Sequence, residues 1–330
     1  GAARASVSLS GFRLGFGHTS GGYPLSRVRR WIQAACCAAV VALGLPAHAS
    51  EDEHILVLGR ISDDPAAHFN QLKPLLDYVV PRMRDVGITE GRILMARDAQ
   101  QMASYLRRNR VDWVTETAST AVQLQARAAA RPLLLTERNG VSSYHTVFFA
   151  RKDAPIRDLA GLPGHTLGLQ SPASTSAYMV PMTALLDANL SPEILLAPND
   201  QPSPDRVGYV FARSELNIAS WVHKGLVDAG AVSSLDWADP ERVPRAFRAD
   251  FRVIHETDPY PRALELVRRD MPPAVEARLR EVLLQAAGDP AARDALRLFF
   301  HTSRFLPLDA ASQRSLDTLD GLDCDILVTT

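Results

Sequence analysis

From residue 54 to residue 136 the chain alternates between short apolar runs and segments with apolar residues three and four apart. This alternation restricts it to the α/β class. His54–Ile61 (HILVLGRI) reads as a buried strand. Ala66–Val86 carries Phe69, Leu72, Leu76, Val79 and Val80 at helical spacing. Arg92–Ala96 reads as a strand, Gln100–Arg108 as a helix, Val111–Thr115 as a strand, Ala118–Ala130 as an Ala-rich helix and Pro132–Thr136 as a strand. Strands separated by helices imply βαβ units and a largely parallel sheet.

The pattern then breaks and restarts. Ser143–Arg151 (SYHTVFFAR) is a long apolar strand with no helix before it, suited to crossing between two bodies. After it come a short helix near Ile156–Leu159, a strand at His165–Leu169, a helix from Ser174 to Ala188, a Pro-rich loop at Pro198–Pro204, a helix at Ser214–His223 and strands at Val227–Val232 and Phe251–His255. Ala263–Val267, just past Pro259-Tyr260-Pro261, is a second candidate crossover. Pro273–Ala286, Ala291–Phe300 and Asp309–Leu319 read as helices. A chain of 330 residues is about twice a typical ~150-residue domain. The expected fold is two α/β lobes, each a mostly parallel sheet flanked by helices, joined by two crossover strands. Lobe 1 is expected to comprise 50–146 plus 258–330, and lobe 2 to comprise 147–257.

Charge divides the chain unevenly. The whole carries −1, but residues 1–49 hold five Arg and no Asp or Glu, leaving 31 basic and 37 acidic side chains, −6, over 50–330. With no basic stripe to neutralise a phosphate backbone, nucleic acid is not an expected partner. Arg27, Arg29 and Arg30 precede an apolar run from Ala34 to Leu45 and then Pro46-Ala47-His48-Ala49. That order is a secretory signal peptide over 27–49 with cleavage after Ala49 and a periplasmic destination. An uncleaved anchor is the alternative, though the run falls short of the roughly 20 residues a spanning helix needs. Cys36 and Cys37 start the apolar run rather than follow it, against a lipoprotein site, and leave with the leader. Cys324 then stands alone, so no intrachain disulfide is expected. Residues 1–26 lie upstream of a complete signal peptide and are expected to be unstructured or a gene-model artefact.

The sharpest local motif is Ser171-Pro172-Ala173-Ser174-Thr175-Ser176, between a strand and a helix. Ser174 is placed as N-cap, with Thr175 and Ser176 in the first turn. A helix start leaves about four backbone N–H groups unpaired and carries roughly half a positive charge. Three hydroxyls added there make an anion cradle that needs no Lys or Arg. The residues alone are equally compatible with a Ser-rich N-cap that holds nothing.

Arg157–Pro181 (RDLAGLPGHTLGLQSPASTSAYMVP) resembles the hallmark segment of the phosphate, phosphite and phosphonate substrate-binding proteins of ABC transporters. Phe211–Trp237 (FARSELNIASWVHKGLVDAGAVSSLDW) is similar to that family's second signature, and Val111–Thr117 (VDWVTET) resembles its Val-Asp strand ending at the cleft. The resemblance implies a type II periplasmic-binding-protein fold that closes two hinged lobes over a small oxyanion. It implies that Ser174, Thr175 and Ser176 contact the anionic oxygens. It further implies a monomer that docks on a membrane permease; docking on a sensor histidine kinase is the alternative. Where the family has an aromatic, a His and an Asp, this chain has Glu116, Ser214 and Ala263, which argues against an aminoalkylphosphonate. Glu116 would favour a protonated anion, unless it is a solvated loop carboxylate.

Further candidates are Thr117; Arg262, as a cationic attraction or plain surface; Ser233 and Ser234, after a strand end that faces the crevice in open α/β sheets; and Tyr144 and His145 on the first crossover. No G-x-S-x-G, H-E-x-x-H or Walker loop is present, so an enzyme is not expected, a periplasmic hydrolase being the remaining alternative. His255-Glu256-Thr257-Asp258 lacks a metal-ligand spacing, and no cofactor or metal is expected.

Overall fold

The first strand begins one residue after His54, and the elements follow the expected order. The computed structural model describes residues 54–320. The leader, its cleavage point and all three cysteines therefore lie outside the described residues. The strands are β1 (Ile55–Ile61), β2 (Glu90–Ala96), β3 (Trp113–Glu116), β4 (Arg131–Arg138), β5 (Ser143–Tyr144), β6 (Thr146–Arg151), β7 (Thr166–Leu169), β8 (Ser191–Ile194), β9 (Arg206–Phe211), β10 (Ala229–Ser233), β11 (Phe251–Glu256), β12 (Tyr260–Pro261), β13 (Leu264–Val267) and β14 (Thr302–Leu306). The first helix runs Pro65–Val79 from an Asp64 cap whose side chain accepts from the Ala67 amide at 3.1 Å. It tightens to a 3₁₀ turn over Val80–Val86 and stops at Gly87, whose φ of 88° suits a residue without Cβ.

Two six-stranded sheets form, in the orders β14-β4-β13-β3-β1-β2 and β11-β6-β10-β7-β9-β8. They are mixed rather than mostly parallel. β1 pairs in parallel with β2 and β3, but β13 is antiparallel to β3 and β4, and β14 to β4. In the second sheet β6 is antiparallel to β10 and β11, while β7, β8, β9 and β10 run together. The reversals at β6 and β13 have a topological cause. β6 and β13 are the strands by which the chain enters a new sheet from the other one. Each starts at the edge where its neighbours end, so it runs against them.

The expected single strand Ser143–Arg151 is interrupted at His145. Its first two residues pair with β12, Tyr144 opposite Tyr260 and Ser143 opposite Pro261, and its remainder joins the second sheet. The second crossing is likewise made at β12, not at Ala263–Val267; β13 lies inside the first sheet. Strands β8, β9 and β14 stand where none was expected. β8 and β14 are sheet edges whose sequences, SPEI and TSRFL, show little apolar alternation. The apolar pattern of β9 is broken by Gly208, where a Cβ would come within 2.7 Å of Leu195 Cδ1.

The first sheet is covered on one face by Leu72, Leu75, Leu283 and Phe299 against Leu56, Leu58 and Trp113, and on the other by Met102, Val122 and Leu316 against Val114 and Leu266. The second packs Phe148, Leu167 and Leu169 under Met182 and Leu185, and Phe149 and Val232 under Ile218 and Val222. Each sheet is thus a buried layer between helices, the arrangement that supports one lobe. Among the described residues no helix is long and apolar enough to cross a membrane.

Candidate functional site

The segments that follow β3 and β7, one from each sheet, meet at Thr117, Ser119 and Thr175. β3 ends at Glu116, and Thr117 then starts the helix Ala118–Ala128 without a side-chain capping bond. The first-turn amides of that helix therefore need acceptors from elsewhere. β7 ends at Leu169, and Ser174 caps the next helical segment, its Oγ accepting from the Ala177 amide at 3.1 Å. Between them stands Thr175. Its Oγ1 accepts from the Ser119 amide at 3.2 Å, donates to Ser119 Oγ at 2.7 Å and lies 3.3 Å from Thr117 Oγ1.

The helix after Ser174 does not start as a regular α-helix. Its first turn, Thr175–Met179, is widened: the Met179 amide donates to the Ser174 carbonyl at 3.0 Å, and Ala177 sits at φ −116°, ψ 21°. The regular helix runs Val180–Asp187. Pro181 explains the change. It lacks the N–H that would reach the Ala177 carbonyl, and that carbonyl instead accepts from the Gln170 amide at 3.0 Å. The wide turn ties the segment to the end of β7 and buries Thr175 and Ser176.

Ser176 is held by the crossover strands. Its carbonyl accepts from Thr146 Oγ1 at 2.7 Å, which lies 2.7 Å from the Tyr260 hydroxyl. The Tyr144 and Tyr260 rings sit 4.8 Å apart. Burial pushes both phenols above their ordinary range, so both stay neutral.

The first-lobe wall is cationic. Arg262 stacks over the Tyr144 ring at 5.1 Å. Arg60, near the end of β1, and Arg138, the last residue of β4, lie over the Phe300 ring at 4.2 and 4.7 Å. Arg60 donates to the Thr115 carbonyl at 3.3 Å. Glu116 is buried rather than a solvated loop carboxylate, and its Oε1 accepts from the Ile61 amide at 2.9 Å. Burial raises its pKa, opposed by Arg60 most strongly among the charges and by Arg138.

Of the remaining candidates, Ser214 and Ser233 are engaged as helix caps, and Ser233 stands opposite Thr146 in the register between β10 and β6. Ser233, at the end of β10, donates to Asp236 Oδ2 at 2.6 Å and caps the short helix Ser234–Ala238. Ser234 donates its amide to the His145 carbonyl at 2.8 Å. Ser214 caps Glu215–His223, accepting from the Asn217 amide at 3.1 Å. The geometry thus assembles Ser174, Thr175, Ser176, Thr117 and Tyr144, with Glu116, Arg262 and Ser233 beside them. Sequence reasoning passed over Ser119, Thr146, Arg60 and Arg138. The arginines had a signal, a charge at the C-terminal end of an otherwise apolar strand. Ser119 and Thr146 had none. His255–Asp258 line a cavity of about 730 Å³ with Thr183, Tyr260 and Arg314. Among the described residues no three His, Cys, Asp or Glu side chains are grouped to hold a metal ion.

A family model described as the ABC transporter, phosphonate, periplasmic substrate-binding protein matches residues 60–313. The chain belongs to this family. Members of this phosphonate-binding family are solute-binding proteins of the periplasm, not enzymes, and their partners are a small-molecule ligand and a membrane permease. Two structures of XAC2383 from Xanthomonas citri, bound to chloride ion and to ATP, are 55% and 54% identical. Each matches 81% of this chain and 96% of its own at a TM-score of 0.73. PhnD1 from Prochlorococcus marinus in complex with methylphosphonate is 15% identical over 83% of this chain and 100% of its own, TM-score 0.55, a likeness of fold. The type II periplasmic-binding-protein fold is therefore the fold of this chain.

Proposed function

We propose that this protein captures a small phosphorus oxyanion between its two lobes and presents it to an ABC permease without chemical turnover. The moving bodies are residues 50–146 with 258–330 and residues 147–257, hinged where Tyr144 and Tyr260 pair. The protein acts as a monomer, exported by a signal peptide cleaved after Ala49. The ligand seat is built from Ser174, Thr175, Ser176 and Thr117, with Ser119 added by the geometry and Tyr144 as its hinge-side wall.

One observation carries this reading: two helix starts face each other across the lobes, with the Ser119 amide donating to Thr175 Oγ1 at 3.2 Å. Both ends bear partial positive charge, and no carboxylate caps either. The Thr175 oxygen fills the acceptor place that an anion oxygen would take when the lobes admit a ligand. The Xanthomonas citri relative, whose two structures hold chloride and ATP, supports an anion seat that accepts phosphate groups.

Thermal unfolding with phosphate, phosphite, methylphosphonate, sulfate or ATP tests the proposal. A ligand at 100 times its Kd adds about 2.7 kcal/mol to stability, a readily measured shift. A melting curve unmoved by all five at millimolar concentration would dismiss it.

A further inference from the structure

Arg60, Arg138 and Arg262, on the first lobe, make no ion pair within 4 Å among the described residues. Unlike exposed unpaired arginines of the same lobe, such as Arg108 and Arg127, they gather about the Phe300 and Tyr144 rings. Two of the other arginines of that lobe show the contrast, Arg268 lying 2.7 Å from Asp112 and Arg304 lying 3.1 Å from Glu137. Arg138 is only 7% exposed, yet its Nε and Nη2 atoms are buried with no hydrogen-bond partner, as is Arg60 Nε. Burying an unpaired guanidinium is costly, since a charged donor without an acceptor loses its full hydration. Burial, then Arg262 and Arg60, push the Arg138 pKa down to about 10, so it remains charged at neutral pH. The nearby carboxyls are engaged elsewhere: Glu116 accepts from the Ile61 amide, and Glu265 accepts from Trp113, Thr115 and Thr136 rather than from an arginine.

The local backbone is arranged to keep this cluster together. Phe300 and His301 both hold left-handed angles, φ 52° and 53°, which non-glycine residues adopt only when their surroundings enforce it. The result places the Phe300 ring against both Arg60 and Arg138. The cluster also adjoins the hydroxyl seat at two points. Glu116, on which both Arg60 and Arg138 act, is followed directly by Thr117; Tyr144, covered by Arg262, packs 4.8 Å from Tyr260, whose hydroxyl meets the Thr146 Oγ1 that holds the Ser176 carbonyl.

We infer that Arg60, Arg138 and Arg262 form a second anion subsite, so that the ligand is a condensed phosphate whose chain spans from the hydroxyl seat to these guanidiniums. The inference rests on the seat proposed above. A lone phosphonate would satisfy the helix starts and leave three cations unmatched. A diphosphate or triphosphate, inorganic or as the tail of a nucleotide, supplies oxygens to both places, and guanidiniums suit phosphate oxygens through paired N–H donors.

The test is titration calorimetry of the full chain with orthophosphate, methylphosphonate, inorganic triphosphate and ATP, repeated on Arg138→Gln and, as the less buried site, Arg262→Gln. Triphosphate should bind wild type at least about 30-fold more tightly than orthophosphate, and each substitution should shrink that ratio by about tenfold or more. ATP binding more tightly than inorganic triphosphate assigns the nucleotide as source; equal affinity assigns the phosphate chain alone. A wild-type ratio near one, or variants that weaken both ligands in proportion, overturns the second subsite while leaving the seat intact. Failure of all four ligands to bind wild type removes the seat and the subsite together.

Discussion

Thr175 Oγ1 donates to Ser119 Oγ at 2.7 Å, joining the segment after β7 to the helix after β3 and so linking the two lobes. The same oxygen takes the Ser119 amide at 3.2 Å. Thr175→Val keeps the shape and removes both roles. Since hydrogen bonds to a charged group contribute about 1.5–3 kcal/mol each, oxyanion affinity should fall by roughly 10- to 100-fold. Calorimetric titration with the tightest-binding oxyanion reads this directly. Unchanged affinity would show that Thr175 only fastens the lobes.

The hinge makes a separate prediction. The Tyr260 hydroxyl and Thr146 Oγ1 are 2.7 Å apart, and Thr146 also donates to the Ser176 carbonyl at 2.7 Å. Tyr260→Phe removes the phenol but leaves that second bond, so the loss should be a single buried hydrogen bond, about 1 kcal/mol. Urea unfolding of the variant should show a lower midpoint with an unchanged slope. A midpoint equal to wild type would mean that the phenol contributes nothing to hinge stability.

What the sequence disclosed follows from how local each cause is. HILVLGRI is apolar enough to declare β1 by itself, and Ser174 was identified as a cap because its hydroxyl bonds only three residues ahead. The widened first turn was not visible, although its cause, Pro181, stood in plain view: whether the Ala177 carbonyl finds another donor depends on Gln170 arriving from β7. β9 was missed because Gly208 weakens a strand pattern, while the need for that glycine is set by Leu195 and Pro202 in the folded state. Ser119 could not be singled out in an Ala-rich helix, because its role depends on a residue 56 positions away.

Gly230 illustrates the same point as a stability prediction. It pairs with Phe149 in the register between β10 and β6, and a Cβ there would lie 2.5 Å from Ile218 Cγ2 and 2.8 Å from Phe149 Cζ. Both neighbours are fully buried, so neither yields freely. Gly230→Ala should therefore destabilise the second lobe by about 1–3 kcal/mol through overpacking. Denaturant titration monitored by tryptophan fluorescence would register this, and a variant as stable as wild type would mean that the Ile218 side chain has room to retreat.

The last prediction concerns Glu265, the second residue of β13, which is completely buried. Trp113 Nε1, Thr115 Oγ1 and Thr136 Oγ1 donate to it at 2.6, 2.9 and 2.8 Å, and all three bonds favour the carboxylate. Burial outweighs them and raises its pKa from 4.5 to about 7. The folded state therefore holds this proton more tightly than the unfolded chain does. Its contribution is complete below about pH 4.5 and is lost progressively as pH rises to about 7, where the fold must accommodate a buried charge. A shift of that size amounts to about 3 kcal/mol across the window. Glu265→Gln stays neutral throughout, so the stability of wild type relative to the variant should decline from pH 4.5 to pH 7. Parallel chemical denaturation of both proteins across that range measures the difference. A constant difference, or one that grows with pH, would show that the three donors prevail and that Glu265 is ionised throughout.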